Sequence, residues 1–160
     1  VSAGHDSDGT TIYVGRAYHE GDMLPAKVIP EKNIAYVCYE GKEYGKHDFE
    51  VLCRSEFSWE VCSNGSVPSN AVVAGQTSGG EPLYVGRVFH DGSQTVGKVG
   101  VYYSFYRTGN SYFIAISINT DDKNSITELF FQVHPTHGCL YIPYAGTELS
   151  FQEYEVLVNN

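Results

Sequence analysis

Hydrophobic and aromatic residues fall in short runs along the chain, and these runs predict β-strands. The runs TIYVGRAYH, IAYVCY and DFEVL in the first half, and PLYVGRVFH, CLYIPY and EYEVL in the second, are rich in Tyr, Val, Ile and Phe. They are bounded by Gly, Pro, Asn and Asp, which favour turns. No segment keeps apolar residues at the i, i+3, i+4, i+7 spacing of a helix for three turns. The pattern predicts an all-β fold with little or no helix.

The strand pattern occurs twice along the chain. Residues 3–27 align without a gap with residues 74–98 at an offset of 71, and residues 28–52 align with 133–157 at an offset of 105. The difference between the offsets, 34 residues, places an insert at 99–132. We predict a tandem duplication: 1–52 is a first repeat truncated at its N-terminus, and 53–160 is a second repeat interrupted by that insert. Because each copy is small, we expect both to pack with pseudo-two-fold symmetry into one domain.

The insert has two interpretations. It follows a lysine and ends in LFFQ, residues that a pyrimidine-rich tract closing in CAG can encode, which suggests a retained, in-frame intron. Its stretch VYYSFYRTGNSYFIAISI is typical of strand, turn and strand, which indicates an evolved hairpin instead. Sequencing the transcripts distinguishes the two.

The two copies begin differently. The second opens with FSWEVC, which places Trp59 on a strand, whereas the first starts at Val1, the equivalent of Val72. We expect the natural chain to extend upstream with a Trp-containing strand. Where that strand is missing, we expect an apolar groove on the first half.

Composition and charge narrow the function classes. At 160 residues and 42% hydrophobic, the chain is long enough for one core. A net charge of -9 with ten Lys and Arg argues against nucleic acid and anionic membranes as partners. The sequence shows neither an apolar stretch of about 18 residues nor a secretory signal, so we expect no membrane insertion. We expect a location that is cytoplasmic, or release without a visible signal peptide.

Duplicated polar residues within strands predict ion pairs, buried or half-buried: Arg16 with Glu50, and Arg87 with Glu155. The cysteine spacings contain no C-x-x-C, so we expect reduced, partly buried thiols rather than disulfides. These cysteines are Cys38, Cys53, Cys62 and Cys139.

The sequence shows no catalytic motif. It contains no G-x-S-x-G, H-E-x-x-H or phosphate-binding glycine loop, so we expect no enzyme and no cofactor. The histidine pairs lack a carboxylate or cysteine at the spacing of a metal site, so we expect no metal. Those pairs are His19 with His90, and His134 with His137.

Several separate motifs resemble the DM-nine repeat. They are GHDSDGTTIYVGRAYHEGDMLPAKV and YEGKEYGKHDFEVL in the first copy, and WEVCSNGSVPSNAVVAGQTSGGEPLYVGRV and YAGTELSFQEYEVL in the second. That repeat occurs in tandem in invertebrate mannose-binding lectins and beside pore-forming modules in natterin-like proteins. The resemblance covers both copies without the insert. It implies an all-β lectin that recognises mannose without a metal ion and acts in innate recognition of microbes.

The resemblance also implies the sugar-binding residues. In mannose-binding members an Asp in the first turn and a Lys ending the next loop contact the sugar, and Asp6 and Lys27 match them. Asp22 matches, less closely, an acidic residue of the intervening loop. In the second copy Lys98 matches Lys27 but abuts the insert, and Thr77 replaces Asp6, so we expect the first site to be the better one. From the residues alone, Asp6 can equally be a turn former and Lys27 a surface cation.

The expected function is therefore that of a mannose-binding lectin, with mannose-bearing glycans as partners. The alternative is a non-catalytic protein-interaction or structural module that presents some of its 13 tyrosines to a protein. A homodimer would raise avidity by pairing sites, although the sequence fixes no interface.

Overall fold

The computed structural model describes residues 1–53, 56–100, 106–108, 111–113 and 138–160, and strands make up most of it. In the first half they are β1 (Ser2–His5), β2 (Thr11–His19), β3 (Asp22–Ile29), β4 (Ile34–Tyr39), β5 (Lys42–Lys46) and β6 (Glu50–Val51). They continue with β7 (Phe57–Ser63), β8 (Val73–Gln76), β9 (Pro82–His90), β10 (Ser93–Gly100), β11 (Tyr106–Thr108), β12 (Ser111–Phe113), β13 (Leu140–Tyr144), β14 (Thr147–Phe151) and β15 (Glu153–Asn159). A 3₁₀ turn, Pro30–Lys32, joins β3 to β4. The all-β prediction is confirmed.

The strands recur in the order that the sequence repeat predicts. Strands β1, β2 and β3 have the bounds of β8, β9 and β10 at the offset of 71, and β5 has those of β14 at the offset of 105. Most of the predicted insert lies outside the described residues. Within it, β11 and β12 pair antiparallel, as the strand-turn-strand pattern predicts. This pairing does not decide between an intron and an evolved hairpin, because a translated segment folds by the same rules whatever its origin.

Thirteen of the strands form one sheet that closes on itself. The ring runs β3-β4-β5-β14-β13-β10-β9-β8 and returns to β3. The two copies meet at its two seams, where Lys42 of β5 pairs with Thr147 of β14 and Met23 of β3 pairs with Gln76 of β8. Closure satisfies strand edges that each copy alone would leave open.

The core also crosses the boundary between the copies. One buried cluster contains Ile12 and Val14 from the first copy with Val85, Val96 and Leu157 from the second. Apolar faces of both copies therefore lose contact with water only when the two pack together. The structure contains no helix, among the described residues, with the length and apolar character needed to cross a membrane.

The two predicted ion pairs form, but their burial differs. Nitrogen and oxygen atoms lie 2.6 Å apart both in Arg16–Glu50 and in Arg87–Glu155. Arg87 is 18% exposed and half-buried as expected, whereas Arg16 is 45% exposed, so the expectation of burial is wrong for the first copy. The cause is Trp59, whose ring lies 4.2 Å from the guanidinium carbon of Arg87. No described strand covers Arg16 in this way.

All four cysteines are free thiols, as expected. Three of them are buried: Cys38, Cys62 and Cys139. Cys53 is exposed, which corrects the expectation of partial burial, because it follows the short strand β6 at the outside of the sheet.

Candidate functional site

Two cavities lie where the copies meet, and each takes residues from both. The first, the Lys27 cavity, has a volume of about 380 Å³. Its lining includes Asp6, Lys27, Tyr36, Glu43, Asp91 and Tyr144. The second, the Lys98 cavity, has a volume of about 560 Å³. Its lining includes Asp22, Tyr39, Thr77, Lys98, Tyr141 and Glu148.

Lys27 lies inside β3 rather than at the end of a loop, which corrects that expectation, because the strand continues to Ile29. Its side chain is held from several sides. Its Nζ is 3.5 Å from Glu43 Oε1 and donates to the carbonyl oxygen of Pro143 at 3.2 Å. The ring of Tyr36, its neighbour on β4, has its centre 5.1 Å from Nζ. The lysine side chain is only 6% exposed, so the reading of Lys27 as a surface cation is wrong.

Asp6 lies in the turn between β1 and β2. Its N–H donates to Thr10 O at 2.8 Å, and its carbonyl accepts the Gly9 N–H at 2.9 Å, which closes the turn. The carboxylate accepts the Ser7 N–H at 2.9 Å and lies 3.6 Å from Lys32 Nζ. Asp6 therefore forms the turn and also lines the Lys27 cavity.

The second copy completes the Lys27 cavity with two residues that the sequence analysis missed. The Tyr144 hydroxyl donates to Asp91 Oδ2 at 3.0 Å, and this bond raises the pKa of Tyr144. Asp91 occupies the turn between β9 and β10, with a positive φ of 47°. An alignment of the two copies assigns each site to the residues of one copy, so it does not indicate that residues of the other copy line the cavity.

Lys32 adds a second cation at the rim of the same cavity. Its Nζ donates to Asp8 Oδ2 at 3.0 Å, and this bond raises the pKa of Lys32. Hydrogen bonds from Thr10, and then from Lys32, hold the pKa of Asp8 well below its usual range. The rim therefore stays charged at neutral pH.

The Lys98 cavity repeats this arrangement with the copies exchanged. Lys98 Nζ is 3.0 Å from Glu148 Oε1 and donates to the carbonyl oxygen of Cys38 at 2.8 Å. Lys98 lies inside β10, paired with Val85 and Tyr141. Although the insert abuts Lys98 in the sequence, it does not displace this residue from its strand, because β10 continues to Gly100.

Asp22 lies in the Lys98 cavity and not beside Asp6 and Lys27. Its Oδ1 accepts the Ser78 N–H at 2.7 Å. The reason is that the β2–β3 turn of the first copy reaches the cavity of the second, as the β9–β10 turn with Asp91 reaches the first. The grouping of Asp22 with Asp6 in one site is corrected accordingly. Thr77 does line the Lys98 cavity in the place of Asp6.

One glutamate links each of the two lysines to the opposite copy: Glu43 for Lys27 and Glu148 for Lys98. Glu43 Oε2 accepts the Gly146 N–H at 2.7 Å, and Glu148 Oε2 accepts the Gly41 N–H at 2.7 Å. Each carboxylate thus fixes its lysine and a turn of the other copy together. The sequence held a signal for them, since Glu43 and Glu148 coincide at the offset of 105.

The duplicated histidines support the cavity tyrosines. The ring of His19 packs 5.1 Å from Tyr39, and that of His90 packs 5.0 Å from Tyr144. Burial lowers the pKa of His19. The described residues contain no group of three or more His, Cys, Asp or Glu that could hold a metal. The predicted pair His134 and His137 lies outside the described residues.

Fold and cavities together define a duplicated all-β module with two polar cavities that tyrosines flank. The sequence profile of the DM9 repeat, named above as the DM-nine repeat, matches residues 6–107, and the chain belongs to this family. Membership is consistent with a lectin-like, carbohydrate-binding role. A search of curated proteins found no match.

Proposed function

We propose that the protein is a lectin that binds mannose through the Lys27 cavity without a metal ion. The observation that carries the proposal is that Asp6 and Lys27 line one cavity, with the tyrosines Tyr36 and Tyr144 also in its wall. A hexose presents neighbouring hydroxyls, each a donor and an acceptor, so a binding site needs an acceptor and a donor on rigid elements. The turn and the strand that hold these two residues meet that need.

The lysine is prepared to donate to a sugar hydroxyl. An ammonium group has three donors, and Glu43 and the Pro143 carbonyl account for up to two of them. Because these partners hold Nζ in place, binding would cost little additional side-chain entropy. Asp6 would accept from the adjacent hydroxyl, and the tyrosine faces would pack against the C–H groups of the ring.

Calorimetric titration with methyl α-mannoside tests the proposal. Each hydrogen bond to a charged group contributes about 1.5 to 3 kcal/mol, so Asp6→Asn or Lys27→Met should weaken binding roughly 10- to 100-fold. Binding should survive a chelator and should depend little on salt compared with a phosphate-binding protein.

Lys98→Met is the matched control, because it makes the same structural change in the other copy. The Lys98 cavity has Thr77 in the place of Asp6, so we expect Lys98→Met to lower mannose affinity much less. Equal losses at Lys27 and Lys98 would contradict the asymmetry. Unchanged binding in the Asp6→Asn, Lys27→Met double variant would contradict the site itself.

One observation favours the alternative of a protein-interaction module. Tyr18 and Phe89, which coincide at the offset of 71, are 63% and 66% exposed. Large exposed aromatic side chains are typical of protein contacts. Absence of mannose binding by the unmodified protein would favour this alternative. Adhesion to mannose-rich microbial cells, competed by free mannose, tests the proposed role in innate recognition.

A further inference from the structure

The Lys98 cavity repeats the lysine, the glutamate and the two tyrosines of the Lys27 cavity but is larger, about 560 Å³ against about 380 Å³. Lys98 Nζ lies 5.8 Å from the ring centre of Tyr39 and 5.8 Å from that of Tyr141, so aromatic rings flank the ammonium. The ring of His19 packs against Tyr39 and supports it. The cavity therefore has a fixed cation, a carboxylate partner for that cation, and aromatic walls.

The other charged residues of the two cavities differ. Lys98 and Glu148 form an ion pair at 3.0 Å. Apart from this pair, the charged residues that line the Lys98 cavity in the described part of the chain are all acidic: Asp22, Glu40 and Glu81. The Lys27 cavity, apart from its own ion pair, has two carboxylates and also the ammonium of Lys32. Negative charge is therefore in excess in the Lys98 cavity.

The three carboxylates have no acidic counterparts in the other copy. At the offsets of 71 and 105 the equivalent residues are uncharged: Ser93 for Asp22, Ala145 for Glu40, and Thr10 for Glu81. In the opposite direction, Thr77 stands where the first copy has Asp6. The two cavities therefore agree in the lysine and its glutamate, and they differ in the positions from which acidic side chains reach the ligand space.

Hydrogen bonds hold the turns that carry these carboxylates. Asp22 Oδ1 accepts the Ser78 N–H at 2.7 Å. Gly41, next to Glu40, donates its N–H to Glu148 Oε2 at 2.7 Å. A carboxylate has more acceptor positions than one such bond uses, so Asp22 can also accept from a ligand.

This arrangement favours a ligand that combines a sugar ring with a positive charge. Carboxylates that share a cleft repel one another and attract cations. An ammonium lowers that repulsion and donates charge-assisted hydrogen bonds. The tyrosine faces pack against the C–H groups of a sugar ring. Glu148 and the Cys38 carbonyl account for up to two of the three donors of Lys98, so a donor remains for a hydroxyl.

We propose that the Lys98 cavity binds an amino sugar, a hexose in which an ammonium replaces one hydroxyl. The ammonium donates to the carboxylates of Asp22, Glu40 and Glu81. Lys98 and Thr77 donate to the remaining hydroxyls, because Thr77 Oγ1 accepts the Glu81 N–H at 3.1 Å and keeps its own hydrogen for the ligand. This site is separate from the proposed mannose site and does not depend on it.

Calorimetric titration with three methyl glucosides that differ only at carbon 2 tests the proposal. We expect the amino form to bind about 10-fold or more tightly than the hydroxyl and acetamido forms, which carry no charge. Its binding should weaken in high salt, because salt screens the carboxylates. Cyclohexylamine, which has a ring and an ammonium but no hydroxyls, should bind weakly. Methyl α-mannoside should not compete with the amino form.

Variants of the protein locate the site. Asp22→Asn, Glu40→Gln and Glu81→Gln should each weaken binding of the amino form roughly 2- to 5-fold, the range of a solvent-exposed charge pair. Glu60→Gln on β7 removes the same charge from an exposed residue outside both cavities and is the matched control. Asp6→Asn should also leave this binding unchanged, and thermal unfolding shows that each variant is folded.

Several results would overturn the proposal. They are absence of binding by the amino form, equal binding of the hydroxyl or acetamido form, and equal binding of cyclohexylamine. A loss in Glu60→Gln as large as that in the cavity variants would mean that only net charge matters. A loss in Asp6→Asn without a loss in Asp22→Asn or Glu40→Gln would place the amino sugar in the Lys27 cavity instead. Failure of mannose binding alone would contradict the proposed lectin site and leave this result intact.

Discussion

Replacing Lys27 by Met should destabilise the fold, because the lysine is buried beside a carboxylate. The side chains of Lys27 and Glu43 are 6% and 12% exposed, and their charged atoms lie 3.5 Å apart. Removing one partner of a buried pair typically costs about 3 to 5 kcal/mol, because the other charge is left uncompensated. Glu43 keeps its bond from the Gly146 N–H, so we expect a smaller loss of about 2 to 3 kcal/mol.

The coupling between the two residues can be measured with a double-mutant cycle. Glu43→Gln keeps an acceptor for the Gly146 N–H but removes the charge, and the double variant Lys27→Met, Glu43→Gln leaves no unpaired charge. We expect the double variant to be more stable than the sum of the single losses predicts, by about 1 to 2 kcal/mol.

Urea unfolding followed by circular dichroism measures each free energy. A loss of 2 to 3 kcal/mol should lower the melting temperature by about 4 to 12 °C in a chain of this size. The cycle Lys98→Met, Glu148→Gln is the matched control in the second copy, where Lys98 is 16% and Glu148 11% exposed. A Lys27→Met variant within about 0.5 kcal/mol of the unmodified protein, or strictly additive losses, would refute the reasoning.

The same double-mutant cycle also distinguishes a loss of mannose binding from a loss of folding stability. If Lys27→Met, Glu43→Gln is as stable as the unmodified protein and still fails to bind, the loss belongs to the cavity and not to unfolding. If both properties fall together in every variant, the lysine is structural and the proposed contact with the sugar has no support.

Three further predictions concern single positions. Gly75→Ala should destabilise the fold by about 3 kcal/mol or more in urea unfolding, because an added Cβ would overlap the carbonyl oxygen of Met23, whereas Gly79→Ala should stay within about 0.5 kcal/mol. Burial lowers the pKa of His19 in the folded state, so as the pH falls the unfolded chain takes up a proton at this residue at a higher pH than the folded chain does. The free energy of unfolding should therefore fall as the pH drops from about 7.5 to about 5.5, and His19→Gln should make that pH dependence weaker. Cys53 should be the one thiol that a thiol reagent modifies quickly in the folded protein, and two or more fast thiols would contradict the burial of the others.

Much of the fold could be predicted because local pattern and duplication agree. Short runs of β-branched and aromatic residues predict the strands, and the two offsets, 71 before the insert and 105 after it, predict the same strand order in both copies. The turn at Asp6 also follows from the sequence, whereas Lys27, expected at the end of a loop, lies inside β3. The structure places both residues in one cavity. The strand pattern does not predict which turn lines the cavity of which copy.

Asp22 and Asp91 show why the rest of the site could not be predicted. An alignment of the two copies assigns each acidic turn to its own copy, and Asp22 is then grouped with Asp6. In the closed sheet the β2–β3 turn of the first copy reaches the Lys98 cavity, and the equivalent β9–β10 turn of the second copy reaches the Lys27 cavity. Pairing across seams such as Met23↔Gln76 decides this, and that information is in the packing of the copies rather than in either repeat.

The cavities are therefore properties of the duplication. The Lys27 cavity takes Asp91 and Tyr144 from the second copy, and the Lys98 cavity takes Asp22 from the first. The glutamate beside each lysine accepts a backbone N–H from the opposite copy, so the pairing that closes the sheet also orients the ammonium groups. Because both copies contribute to the closed sheet and to the shared core, a change of one side chain inside one cavity leaves the seams and the other cavity in place. The replacement of the Asp6 position by Thr77 is a change of this kind: it alters the chemistry of the second cavity and leaves the lysine, its carboxylate partner and the seam in place.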